Sequence, residues 1–268
     1  MIEVKECSKA FGTVKAVNKA TLDVGVREVF GLVGSNGAGK STLLRMMAGI
    51  IKPDEGEIQI DGMPVYENEE AKKLFFYISD DSYFPANYTA MDLVRFYRNF
   101  YPQFRTRLFH ELMEQFHLEE NRRIATFSKG MKKQVLVIIG VCAATKYLFC
   151  DETFDGLDPV MRQAVKSLFA AEIMNREFTP VIASHNLREL EDVCDHVGIM
   201  NHGKVIIERS LFDLHGNISK IQVACQTGMP KLPKEFEVLH MSNSGRVYTM
   251  IVKGNPREVA AAIQTEGD

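Results

Sequence analysis

The chain has 268 residues, of which 46% are hydrophobic and 25% charged, a composition that excludes a disordered or fibrous protein. Its formal net charge of −3 gives no bulk attraction to DNA or RNA, so no nucleic acid partner is expected. The opening Met1-Ile2-Glu3-Val4-Lys5-Glu6 lacks the apolar core of a secretory leader. The longest apolar run, Val135 to Ala144, is shorter than the roughly 20 residues a bilayer-crossing helix needs and reads as a buried helix.

The first stretch alternates as strands do, with Val17, Ala20, Leu22 and Val24 on one face and a break at Gly25. Val29 to Val33 is an uninterrupted apolar run, the pattern of a parallel strand buried on both faces. A glycine-rich turn follows, then a helix from about Lys40 to Ala48 that stops at Gly49. Pro53-Asp54-Glu55-Gly56 is expected to turn, and Glu57 to Gly62 to form an edge strand.

From about Asp80 the chain becomes rich in aromatics and helix formers, which predicts a helical insertion over about 80–145. Thr89-Ala90-Met91-Asp92 resembles a capping box with Asp in the acidic place. Leu93, Phe96, Tyr97 and Phe100 share a helical stripe, expected to be core, with a docking surface as the second possibility. A helix then runs from Ser128 to about Ala144, a strand from Tyr147 to Cys150, a helix from Pro159 to Asn175 and a strand from Pro180 to Ala183. A helix over Leu187 to Val193 and a hairpin around Asn201-His202-Gly203 complete the pattern. Strands alternating with helices imply a mostly parallel sheet. Beyond Gly216, strands at Ile218 to Ala224 and Phe236 to Lys253, with a short helix opened by Asn255-Pro256, predict a small α+β appendage over 216–268. The five cysteines have no zinc-like spacing and read as reduced structural thiols.

Four pieces carry chemistry. Gly34-Ser35-Asn36-Gly37-Ala38-Gly39-Lys40-Ser41-Thr42 sits between an apolar strand and a helix and is a P-loop. Its glycines let backbone N–H groups face phosphate oxygens, Lys40 reaches the β- and γ-phosphates, and Ser41 supplies a hydroxyl to Mg²⁺. Tyr147 to Cys150 leads into Asp151, placed to hold Mg²⁺ through water, and Glu152, placed to polarise an attacking water. Thr126-Phe127-Ser128-Lys129-Gly130-Met131 puts Ser128 at a helix start, which is either a plain cap or a second anion site. His185 follows an apolar strand at the sheet end where ligands bind; alone it would be read as structural.

Taken in order, these motifs with Gly156-Leu157-Asp158 resemble the ATP-binding-cassette (ABC) ATPase family over roughly residues 2–215. The resemblance implies an α/β P-loop NTPase core that binds ATP and Mg²⁺. By it, Phe11 stacks on adenine, Phe127 to Met131 is the signature loop with Ser128 and Gly130 as phosphate contacts, and Gly156 to Asp158 is the D-loop. Glu152 becomes the catalytic base and His185 the switch histidine.

The signature departs from the family's usual Leu-Ser-Gly-Gly-Gln at Lys129 and Met131. Asp80 stands where the family carries a glutamine, and its carboxylate is expected near the metal. The Ser-Lys-Gly-Met variant is similar to ATPases that pair with ABC-2-type permeases. The implied protein is a homodimer or heterodimer that closes on two ATPs, drives a transmembrane permease and lies at the cytoplasmic face of the membrane. The alternative is a soluble ABC ATPase acting on nucleic acid or ribosomes. It is disfavoured because the chain has one cassette, no coiled-coil heptads and no zinc-hook cysteines.

Overall fold

The computed structural model describes residues 1–211, 218–224, 230, 232–233, 236–244, 247–254, 258–259 and 262–263. The chain divides into two compact units, Met1–Glu208 and Arg209–Asp268. The expected boundary at 215/216 lies outside the described residues.

The first unit opens with two long strands, β1 (Ile2–Phe11) and β2 (Val14–Val24), paired antiparallel. Then come β3 (Phe30–Val33), α1 (Lys40–Met47), β4 (Glu55–Ile60), the two-residue β5 (Met63–Pro64), α2 (Glu69–Lys72) and β6 (Phe75–Ile78). The helical insertion contributes α3 (Ala90–Tyr97), α4 (Thr106–Gln115), a 3-10 turn at Ile124–Thr126 and α5 (Lys129–Cys142). β7 (Tyr147–Asp151), α6 (Pro159–Asn175), β8 (Thr179–Ser184), α7 (Leu187–Glu191), β9 (His196–Asn201) and β10 (Lys204–Ser210) follow.

Two sheets result. The antiparallel one has the order β2-β1-β4-β5, and the six-stranded one has the order β10-β9-β3-β8-β7-β6. In the larger sheet β3 runs parallel to both β8 and β9, and β7 parallel to both β6 and β8. Every residue of β3, β7 and β8 is buried, as strands covered on both faces require. Leu43, Leu44, Met46 and Met47 of α1 join Ile2, Val4, Leu22, Phe30, Ile58 and Phe149 in one apolar core. Each such side chain contributes about 1.5–3 kcal/mol by leaving water. The core thereby fixes the α1 start against the ends of β3 and β7.

Three expectations need correction. The Glu57 to Ile60 strand is not an edge: it pairs with β1 on one side and with β5 on the other. It also starts at Glu55, because Gly56 takes φ 82 and allows close approach to the Lys5 carbonyl. Of the aromatic stripe, Leu93 is buried, but Phe96 and Phe100 are 47% and 61% exposed and lean on one another at 5.2 Å. The capping box is present in both directions: Asp92 N–H donates to Thr89 Oγ1, and Thr89 N–H donates to Asp92 Oδ2. Val135 to Cys142 is buried throughout, which explains its apolar run. His202 and Gly203 both have positive φ, the turn that matches strand twist in a tight hairpin.

The second unit holds β11 (Ile218–Ala224), β12 (Val238–Ser244) and β13 (Val247–Lys253), antiparallel in the order β11-β13-β12. Met250, Val252 and Val259 form its small core, with Ile221, Leu232 and Phe236 against it. Asn255-Pro256, the expected helix start, lies outside the described residues.

Candidate ATP-binding and hydrolysis site

The turn between β3 and α1 is shaped by close backbone approaches. A Cβ at Gly34 would lie 2.4 Å from Met200 O, and one at Gly39 would lie 2.2 Å from Ala16 O. Gly39 also has φ 104, so only glycine fits there. No side chain caps α1, which leaves its first N–H groups for an anion. The loop borders a cleft of about 560 Å³ whose walls include Val14, Asn36, Gly37, Lys40, Ser41, Thr42, Asp80, Glu152, Asp155 and His185.

Lys40 is 4% exposed. Its ammonium donates to Gly34 O at 2.8 Å and Ser35 O at 3.2 Å and lies 3.3 Å from Glu152 Oε1. Ser41 Oγ donates to Asp151 Oδ1 at 2.7 Å, and the Tyr77 hydroxyl donates to Asp151 Oδ2 at 3.1 Å. Burial raises the Asp151 carboxyl above its ordinary pKa, while these two hydrogen bonds work the other way. Tyr77 is pushed up to about 12 by burial and by the Asp151 charge, with Arg45 working the other way. Ser41 and Asp151 are hard oxygen donors side by side, the set Mg²⁺ takes when phosphate and water complete its shell. The donor set therefore fits the metal.

Glu152 follows β7 with φ 46, a strained left-handed conformation for a residue with a Cβ. Its Oε2 is 2.9 Å from His185 Nδ1. A carboxylate only accepts, so Nδ1 carries the proton. The hydrogen bond and charge of Glu152 raise the His185 pKa above 6.5. His185 is itself set by its turn, where Ser184 Oγ accepts from Asn186 N–H and meets Glu189 Oε2, and Arg162 reaches Glu189.

The cleft gathers the P-loop, Asp80, Glu152 and His185, but not every predicted residue. Phe11 is half exposed and pairs across the β1–β2 turn with Val14, which lines the cleft. Ser128 caps α5 by accepting from Met131 N–H at 3.2 Å, and Ser128 and Gly130 stay outside the cleft walls. Lys129 reaches Asp155 at 3.0 Å, and Gly130 packs on Gly156 O. Asp80 Oδ1 lies 3.4 Å from Lys133 Nζ. Sequence reasoning did not single out Tyr77, Lys133 or Asp155. The basic run after Ser128 was the available signal for Lys133.

A Gly-rich phosphate loop, a paired hydroxyl and carboxylate for metal, and a carboxylate–imidazole pair on a parallel sheet define a P-loop nucleotide hydrolase. A family model described as "ABC transporter" matches residues 17–155. The ABC transporter ATP-binding protein YtrB of Bacillus subtilis is 30% identical over 258 residues, covering 96% of this chain and 88% of that protein. The bacitracin transport ATP-binding protein BcrA of Bacillus licheniformis is 31% identical over 211 residues, covering 78% of this chain and 69% of that protein. A solved ATP-binding subunit of an ABC transporter superposes with TM-score 0.73 at 26% identity, covering 80% of this chain and 92% of that one. The dimeric post-hydrolysis cassette MJ0796, bound to ADP and Pi, shares the fold with TM-score 0.70 at 20% identity, covering 79% of this chain and 99% of that one. The chain belongs to the ABC transporter family and is its ATP-binding, ATP-hydrolysing subunit. Among the described residues, no helix is long and apolar enough to cross a membrane.

Proposed function

We propose that the chain works as half of a nucleotide-sandwich dimer, homomeric or heteromeric, that drives a separate transmembrane permease from the cytoplasmic face of the membrane. One observation carries the dimer. The P-loop side of the cleft is built within this chain, while Ser128, which caps α5, and Gly130 stand outside the cleft walls. A second subunit would supply that helix start to the γ-phosphate.

In this reading Lys40 puts its charge on the β- and γ-phosphates, and Phe11 offers its exposed ring to adenine. Ser41 and Asp151 would hold Mg²⁺, with Asp80 lining the same cleft as Ser41. The bound ion would offset phosphate charge. Glu152 accepts the proton of the attacking water, and His185 fixes the carboxylate through Nδ1–H. The Ser-Lys-Gly-Met signature favours a permease of the ABC-2 type. Its docking surface is the aromatic depression of about 520 Å³ walled by Phe75, Phe76, Tyr97 and Tyr101.

Ser128→Arg tests the sandwich. Hydrolysis should be lost while the monomer's affinity for a fluorescent ATP analogue stays at wild-type level. A loss of monomer affinity would place the signature loop in its own subunit's site.

A further inference from the structure

Lys133 lies in the second turn of α5 and is 5% exposed, although Lys132 beside it is half-buried and Lys129 is exposed. A buried ammonium persists only where its donors and its charge are both met. Lys133 Nζ donates to the main-chain carbonyl of Glu152 and pairs with Asp80 Oδ1 at 3.4 Å. Asp155 also feels its charge.

Glu152 is thereby held at four points. Its N–H donates to Ala183 O at 3.0 Å. Its two carboxylate oxygens meet Lys40 and His185, and its carbonyl meets Lys133. The first three holds come from β8, the P-loop and the turn after β8. The fourth comes from the helix that the signature loop starts, and Asp80, in the loop after β6, shares the same ammonium.

We propose that Lys133 is a positioning residue for Glu152, and that Asp80 keeps it in place, so that the loop over 79–88 governs the geometry of the base. The left-handed backbone of Glu152 gives the physical reason: a strained residue keeps its conformation only where its surroundings over-determine it. The ammonium also offsets the negative charge that Asp80 brings into a phosphate-binding cleft. The inference rests on Glu152 being the general base.

The test is ATPase kinetics on the full chain for Lys133→Met, Lys133→Gln, Asp80→Asn, Glu152→Gln and the Lys133→Met/Glu152→Gln double variant, with fluorescent ATP analogue binding measured on each. Lys133→Met should lower kcat by about 10- to 100-fold, the cost of a slightly misplaced catalytic group, with analogue affinity changed by no more than about threefold. Asp80→Asn should lower kcat less. In the Glu152→Gln background, Lys133→Met should change the residual rate by no more than about twofold, because both changes remove the same function.

A wild-type kcat for Lys133→Met overturns the proposal. So does an equal fold-loss with and without Glu152. If Lys133→Met does not bind the analogue, Lys133→Gln is judged by the same criteria, and loss of binding in both makes Lys133 merely structural. If Glu152→Gln alone keeps the wild-type rate, it is the reading of the base that fails.

Discussion

The P-loop and the signature loop are built from the same elements, a turn running into a helix start, yet they end in opposite states. At the P-loop the ammonium of Lys40 is buried, the glycines are pressed against Ala16 and Met200, and Ser41 already has its carboxylate. At the signature loop Ser128 and Lys129 are exposed, and the hydroxyl is occupied only by capping its own helix. One loop is enclosed within the chain, and the other stays exposed at its helix start. The contrast teaches that local geometry for anion binding does not by itself make a site. Enclosure by charge and by catalytic groups does, and only one of the two has it here.

The strongest way to sharpen the contrast is to stop the chemistry while leaving both loops intact. Glu152→Gln should slow hydrolysis by about 10²- to 10⁴-fold, the range of a lost general base. With turnover blocked, ATP should accumulate a dimer visible by light scattering. A wild-type rate would remove Glu152 from the base role. Next, Lys40→Ala should weaken ATP binding by about 10- to 100-fold, since a hydrogen bond to a charged group is worth about 1.5–3 kcal/mol. Unchanged analogue affinity would mean the enclosed loop is not the phosphate cradle.

Asp80 gives a smaller, severalfold effect on metal demand. Asp80→Ala should need more Mg²⁺ for half-maximal ATPase rate than wild type, with Asp80→Gln between them, because a carboxylate attracts the ion more than an amide does. Three superimposable titrations would take Asp80 out of the metal site.

The smallest effect is the titration of His185. Its raised pKa comes first from the hydrogen bond with Glu152, then from that residue's charge, with Asp155 and Glu189 adding to it. A raised folded-state value means that the pairing stabilises the fold fully below the unfolded value near 6.5. The contribution is lost as pH climbs through the folded value. NMR titration of the imidazole should give a value above 6.5 in the wild type and a lower one in Glu152→Gln. The same value in both proteins would break the assigned pairing.

Much of the enclosed loop was legible in the sequence because its constraints are local. Gly34, Gly39 and Lys40 are set by spacing along a single turn, and Asp151 and Glu152 by the end of one apolar strand. The capping box at Thr89 and the hairpin at His202 and Gly203 were legible for the same reason. Lys133 was not. In sequence it belongs to a basic run with Lys129 and Lys132, and only the packing of α5 against β6 and β7 turns it inward while they stay further out. Tyr77 was missed likewise, since its reach to Asp151 depends on β6 lying beside β7. Phe96 and Phe100 misled in the other direction: a helical stripe reports a face, and what covers that face is a tertiary matter.

The hairpin of β9 and β10 has a consequence in time. Gly203 N–H donates to Ala38 O at 2.9 Å, and Gly203 O accepts from Asn18 N–H at 2.8 Å, so the turn bolts the P-loop to β2. Met200 O closes on Gly34 from the same hairpin. The phosphate loop is thus translated early but completed late. A nascent chain that has already emerged through α1 still lacks the backbone that seats the loop, until the ribosome has delivered nearly the whole first unit. Ordering it requires contacts of very large sequence separation, the slow kind in folding.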